Sequence, residues 1–151
     1  MRLVTLAFLL VACTDHKHST PVNHRVDPVT CPASAGDSFG ADECLSDADC
    51  AAGSGQTEVC SCAGNTFEYA HATRNLCVPA DCRTDAECAP YLCSPSNGDG
   101  GPFYGVQGYY CHTPNDTCSN DSDCVNNGTQ GYCMFSVLSD HWTCAYTFAA
   151  G

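Results

Sequence analysis

The chain has 151 residues, 17 of them acidic and 5 basic, for a formal net charge of −12, and 15 are cysteine. That charge excludes nucleic acid and electrostatic binding to anionic lipid, and favours cations or basic proteins as partners. From residue 13 onward, eight Val, four Leu, five Phe and no Ile make 17 of 139 residues, about 12 % and below the roughly 20 % at which a chain struggles to bury a core.

Taken in chain order, residues 1–12 predict an export signal. Met1 and Arg2 form a short cationic start, and Leu3 to Ala12 is an apolar run too short to span a bilayer as a permanent helix. The run ends in Leu10-Val11-Ala12-Cys13, which resembles the lipobox of bacterial lipoproteins. The resemblance implies cleavage before Cys13, attachment of diacylglycerol to its sulfur, and acylation of the new amino group. Several acyl chains would give firm attachment to a membrane where one would not. Thr14, rather than Asp, follows the cysteine, which resembles the outer-membrane signal of enteric-type lipoproteins. The expected location is therefore the cell envelope, on the periplasmic or surface side of the outer membrane. Removing Arg2 leaves Lys17, Arg25, Arg74 and Arg83 as the basic residues, for a mature charge of 4 − 17 = −13.

Residues 13–30 carry two prolines and few apolar side chains after Cys13 and read as a lipidated tether. The remaining fourteen cysteines then fall into sets. Cys44, Cys50, Cys60, Cys62 and Cys77 make the first, Cys82, Cys88, Cys93 and Cys111 the second, and Cys118, Cys124, Cys133 and Cys144 the third, with Cys31 upstream. The set starts lie 82 − 44 = 38 and 118 − 82 = 36 residues apart, an internal repeat. Three modules follow, at 31–79, 80–113 and 114–151. Fifteen cysteines less Cys13 is fourteen, an even number with no thiol left over, as an exported disulfide framework requires. All fourteen are therefore expected as half-cystines. Cys31 pairs most simply with Cys60 or Cys62. The rest of the connectivity stays open, because fourteen thiols allow more than about 100,000 pairings. Each bridge restricts the unfolded chain by typically 2–4 kcal/mol.

Strand signals are short: 57–60 (TEVC), 107–111 (QGYYC), 130–133 (QGYC) and 141–144 (HWTC), separated by Gly, Asn and Pro. The stretch 94–108 reads as a Gly-rich loop. The expected fold class is small, disulfide-rich and mostly irregular, with short β-hairpins and single helical turns in three tandem Cys-rich repeats.

A heptad recurs at the head of each set: CLSDADC (44–50), CRTDAEC (82–88) and CSNDSDC (118–124). Its third position is Ser46, Thr84 or Asn120, all good N-caps. Three residues later come Asp49, Glu87 and Asp123, the spacing of a capping box. Asp47, Asp85 and Asp121 take the first helical position, where the helix dipole favours negative charge. Each heptad thus predicts one helical turn, too short to survive alone and held by its flanking bridges. A calcium site would need six to eight oxygen ligands, a Gly turn and a distant Glu, which the heptad does not continue into. Oxidised cysteines are not zinc ligands. No metal and no cofactor are expected.

The frame Cys-x-x-Asp-x-[Asp/Glu]-Cys resembles Cys-rich repeats in lipoproteins of predatory and social bacteria such as myxobacteria, a resemblance that brings no biochemical activity with it. It is also similar to the centre of whey-acidic-protein modules, which implies protease inhibition. Those modules continue into adjacent cysteines, whereas this chain has Cys60-Ser61-Cys62 and no Cys-Cys.

Other candidate chemistry is sparse. His16, His18 and His24 lie in the tether and read as solvated spacers. No nucleophile elbow frames any serine, and cysteine parity leaves no thiolate, so no enzyme is expected. Cys60 and Cys62 read as two structural half-cystines with different partners. Phe103, Tyr104, Tyr109, Tyr110, Trp142 and Tyr146 read as packing over the disulfides, with a stacking face for sugar or peptide as the alternative. Asn115, Asn120 and Asn127 are glycosylation acceptors in form only. The function expected is that of a lipid-anchored structural or interaction protein outside the cytoplasm. The alternatives are a whey-acidic-protein-like protease inhibitor and a calcium-binding module.

Overall fold

Each heptad opens a module in which a helical turn is stapled to a hairpin. The computed structural model describes residues 23–36, 40–50, 57–64, 73–97 and 106–146. In the first module the turn is a 3-10 turn at Asp47–Asp49 and the hairpin is β1 (Glu58–Ser61) with β2 (Leu76–Pro79). The second has helix α1 (Asp85–Cys88), β3 (Cys93–Ser96) and β4 (Gly108–Cys111). The third has a 3-10 turn at Asp121–Asp123, a small hairpin of β5 (Val125–Asn126) and β6 (Thr129–Gln130), and then β7 (Tyr132–Ser136) with β8 (His141–Ala145). All four strand pairs are antiparallel and two-stranded. Among the described residues, no helix is long and apolar enough to cross a membrane.

The bridges follow one rule. The heptad's first cysteine bonds the first strand (Cys44–Cys60, Cys82–Cys93, Cys118–Cys133). Its last cysteine bonds the second strand (Cys50–Cys77, Cys88–Cys111, Cys124–Cys144). The two strand cysteines of each module face one another across the hairpin: Cys60 opposite Cys77, Cys93 opposite Cys111, Cys133 opposite Cys144. The seventh bridge joins Cys31 to Cys62, so of the two partners open to Cys31, Cys62 is the one it takes. Cys60 and Cys62 have different partners.

The caps form locally. Ser46, Thr84 and Asn120 are all extended, with φ of −151°, −146° and −146°. Asp49 accepts the N–H groups of Leu45 and Ser46 at 2.9 and 2.8 Å, and Asp123 those of Ser119 and Asn120 at 2.8 and 3.1 Å. Both are reciprocal capping boxes. In the second module Glu87 reaches the N–H of Arg83 instead, at 2.7 Å, one residue ahead of the cap. The Leu45 N–H, then the Ser46 hydroxyl and N–H, hold the Asp49 carboxyl below its ordinary value.

β1, β4 and β8 match the sequence signals to within one residue, and the signal at 130–133 straddles the end of β6 and the start of β7; β2, β3 and β5 carried no signal. Pro79 and Pro95 stand in β2 and β3, which a hairpin with no central strand tolerates. Gly131 is a forced choice, since a Cβ there would meet the Ala145 carbonyl oxygen at 2.6 Å. Gly131→Ala is expected to lower the urea midpoint by an amount worth about 1–3 kcal/mol, measured with the bridges intact.

Sulfur makes up much of the interior. One cluster gathers Cys31, Cys44, Cys50 and Cys60. A second, spanning the first two modules, joins Val59, Val78 and Ala80 to Cys82, Cys88, Cys93, Val106 and Tyr109. The third holds Cys118, Cys124, Cys133, Phe135 and Trp142. The modules also bond to one another. The Ala80 N–H donates to the Thr57 carbonyl at 2.9 Å. The Phe135 N–H donates to Ser96 Oγ at 2.8 Å, and the Tyr110 and Phe135 rings stack at 4.0 Å.

Candidate functional site

The heptad's first aspartate has a role that its sequence position did not show. Asp47 accepts the N–H of Cys60 at 2.9 Å, Asp85 that of Cys93 at 2.9 Å, and Asp121 that of Cys133 at 2.8 Å. These carboxylates stand at the first position of each turn, as the sequence predicts, and each is also aimed at the strand cysteine of its own module. The same cysteine is bridged to the head of the same heptad, so a covalent bond and a charge-assisted hydrogen bond fasten turn to hairpin side by side.

In the first two modules this carboxylate takes a second partner, from residues 24 and 25. Nη2 of Arg25 donates to both oxygens of Asp47 at 2.8 Å, and His24 Nδ1 lies 2.6 Å from Asp85. The Arg25 side chain is 2 % exposed and lies over the Tyr109 ring, 4.6 Å from its centroid. Its Nε and Nη1 are buried with no hydrogen-bond partner, so the ring face and Asp47 carry its charge. The backbone joins in: the Arg25 N–H donates to the Cys93 carbonyl at 2.8 Å, and the Asp85 N–H to the Arg25 carbonyl at 2.7 Å. Within the span 13–30 read as a tether, residues 24–25 are thus a strap across two modules, and His24 is in hydrogen-bond contact with Asp85 rather than a solvated spacer. Thr30 also pairs with Ser46.

A second polar cluster lies between the second and third modules. His112 and Asp116 are both buried, and His112 Nδ1 lies 2.7 Å from Asp116 Oδ2. The imidazole stacks on Trp142 at 4.4 Å, and Trp142 Nε1 donates to the Cys111 carbonyl at 3.3 Å. Burial pushes the Asp116 carboxyl up. The His112 imidazole, the Thr113 N–H and hydroxyl, and the Trp142 N–H together outweigh burial and hold it below the usual carboxylate range. Its folded value therefore lies below its unfolded one. The stability it contributes is present above the unfolded value, near 3.9, and is lost as pH falls through the folded value. Asp116→Asn is expected to flatten the decline of the urea midpoint between about pH 4 and pH 2, measured against the parent chain over the same range.

The carboxylates of the heptads are engaged within their modules and, for Asp47 and Asp85, by residues 25 and 24, and the fourteen cysteines among the described residues are bonded in pairs. Sulfurs of Cys44, Cys50 and Cys60, of Cys82, Cys88 and Cys111, and of Cys118, Cys124 and Cys133 each lie within 4.8 Å of one another. As disulfides they carry no thiolate charge for a metal ion. Tyr109, Tyr110 and Trp142 pack inward on Arg25, Phe135 and His112. Exposed apolar side chains gather at the β7–β8 turn instead, where Val137 and Leu138 are 66 % and 92 % exposed. Cys13, His16, His18, His71, Phe103 and Tyr104 lie outside the described residues.

Sequence reasoning missed the strap and the His112–Asp116 pair. Arg25 gave one faint signal, a basic residue in a strongly acidic chain; the i, i+4 spacing of His112 and Asp116 gave another. Fold and bridges together define a small disulfide-rich protein of three tandem modules. No family model, curated protein or solved structure matches this chain.

Proposed function

We propose that the protein is a lipid-anchored structural or interaction module of the bacterial cell envelope, without catalytic activity or cofactor, held at the membrane through Cys13 on the periplasmic or surface side of the outer membrane. The observation that supports this reading is the bridge count. Seven bonds take up every cysteine from Cys31 to Cys144, and Cys13 is left for lipid. Its partner is a protein or a cation drawn by the acidic surface. Intact mass of the membrane-extracted protein, before and after reduction and alkylation, tests this. The expected result is a chain beginning at Cys13 with three acyl chains, no alkylation before reduction, and fourteen alkylated cysteines after it. An unmodified Cys13, or thiols that alkylate without reductant, would refute the reading.

One observation favours a second reading, protease inhibition: the exposed Val137–Leu138 tip is the kind of apolar projection that a protease pocket takes. The tip is a closed turn, with the Asp140 N–H donating to the Ser136 carbonyl at 2.8 Å. Stoichiometric inhibition of a serine protease, abolished by Leu138→Asp, would establish that reading. The calcium alternative predicts a rise in Tm with calcium that a chelator reverses.

A further inference from the structure

Cys31 stands between two partners. It is bonded to Cys62, yet its sulfur lies 3.6 Å from that of Cys60, which is bonded to Cys44. The main chain holds the four residues together. The Cys31 N–H donates to the Leu45 carbonyl at 2.7 Å, and Thr30 pairs with Ser46, so the segments bearing Cys31 and Cys44 run side by side. Cys60 lies in β1, with Cys62 just beyond the strand's end. Cys31, Cys44 and Cys60 are 4 %, 3 % and 0 % exposed, whereas Cys62 is only half-buried. Solvent therefore reaches this sulfur cluster most readily at Cys62. The second and third modules carry no counterpart of Cys31 and Cys62.

We infer that Cys31 is the pivot of a thiol–disulfide exchange site whose ligand is a low-molecular-weight thiol, and that the first module interconverts between two bridge patterns. The incoming thiolate attacks the Cys62 sulfur, forming a mixed disulfide there and releasing Cys31 as thiolate. Cys31 attacks the Cys60 sulfur that it already touches; the Cys31–Cys60 bond forms, the Cys44–Cys60 bond breaks, and Cys44 leaves as thiolate. Cys44 then attacks the Cys62 sulfur of the mixed disulfide, forming Cys44–Cys62 and returning the small thiolate to solution. Three exchanges leave the oxidation state unchanged, so the thiol acts as catalyst and no oxidant is consumed.

The test uses the folded, fully oxidised protein with sub-stoichiometric reduced glutathione at about pH 8, where the thiolate fraction is appreciable. Samples are quenched with acid and digested without reduction, and the bridges are assigned by fragmentation between Cys60 and Cys62. The expected result is that Cys31–Cys60 and Cys44–Cys62 appear together and grow to a constant fraction at unchanged protein mass. Persistence of Cys31–Cys62 and Cys44–Cys60 alone, or glutathione held at Cys62 with no new bridge, would overturn the inference. In Cys62→Ala the one free thiol is expected to alkylate at Cys44 as well as at Cys31; label confined to Cys31 would also overturn it. Should that variant not fold, the wild-type result decides.

Discussion

Asp47→Ala is expected to lower the unfolding free energy by about 3–5 kcal/mol, the usual cost of breaking a buried ion pair from one side. Asp47 holds the Cys60 N–H and both bonds from Arg25 Nη2, and the Arg25 side chain is 2 % exposed. Without Asp47 the guanidinium keeps only the Tyr109 ring, and a buried charge left without its partner is costly. The same change in the third module, Asp121→Ala, removes the acceptor for the Cys133 N–H from a residue that is itself exposed, and its expected cost is about 1 kcal/mol. Urea unfolding with the bridges intact compares the two. Trp142, the single tryptophan and 2 % exposed, serves as the fluorescent reporter. Equal losses in the two variants would show that Arg25 adds nothing to the aspartate's role.

Complete reduction is expected to unfold the protein at 25 °C without denaturant, with the Trp142 emission moving to that of a solvated indole and returning on reoxidation. A domain's net stability is about 5–15 kcal/mol, and each bridge restricts the unfolded ensemble by about 2–4 kcal/mol. Seven of them exceed that margin even with incomplete additivity. Half-cystines are ten of the seventeen buried residues in the three clusters, and the seven others, Val59, Val78, Ala80, Val106, Tyr109, Phe135 and Trp142, are too few to hold the fold alone. A reduced chain that keeps its native emission would mean that apolar burial suffices.

The caps, the bridges and the repeat were legible for physical reasons that act at short range. A capping carboxylate reaches back three or four residues, as Asp49 does to Ser46 and Leu45, so its partner lies within the same heptad. The even cysteine count after Cys13 needs only arithmetic, and the matching spacing of the sets needs only comparison along the chain. Most hairpins announced one strand; the other was masked, as in β2 and β3, by proline and by the lack of alternating apolar residues.

What the sequence by itself determined was the need for cross-links, the three-module plan and the helical turn at each heptad, since all of these follow from composition and spacing within a few residues. Only the tertiary structure decided that Cys31 bonds Cys62 rather than the Cys60 it touches, that Asp47, Asp85 and Asp121 fasten hairpins as well as opening the turns, and that His24 and Arg25 strap two modules together. Those choices join residues 22 to 61 positions apart in the strap and 12 apart between Asp121 and Cys133. No local rule ranks such pairs, because burial and the stacked bridges bring them together only once the modules have closed.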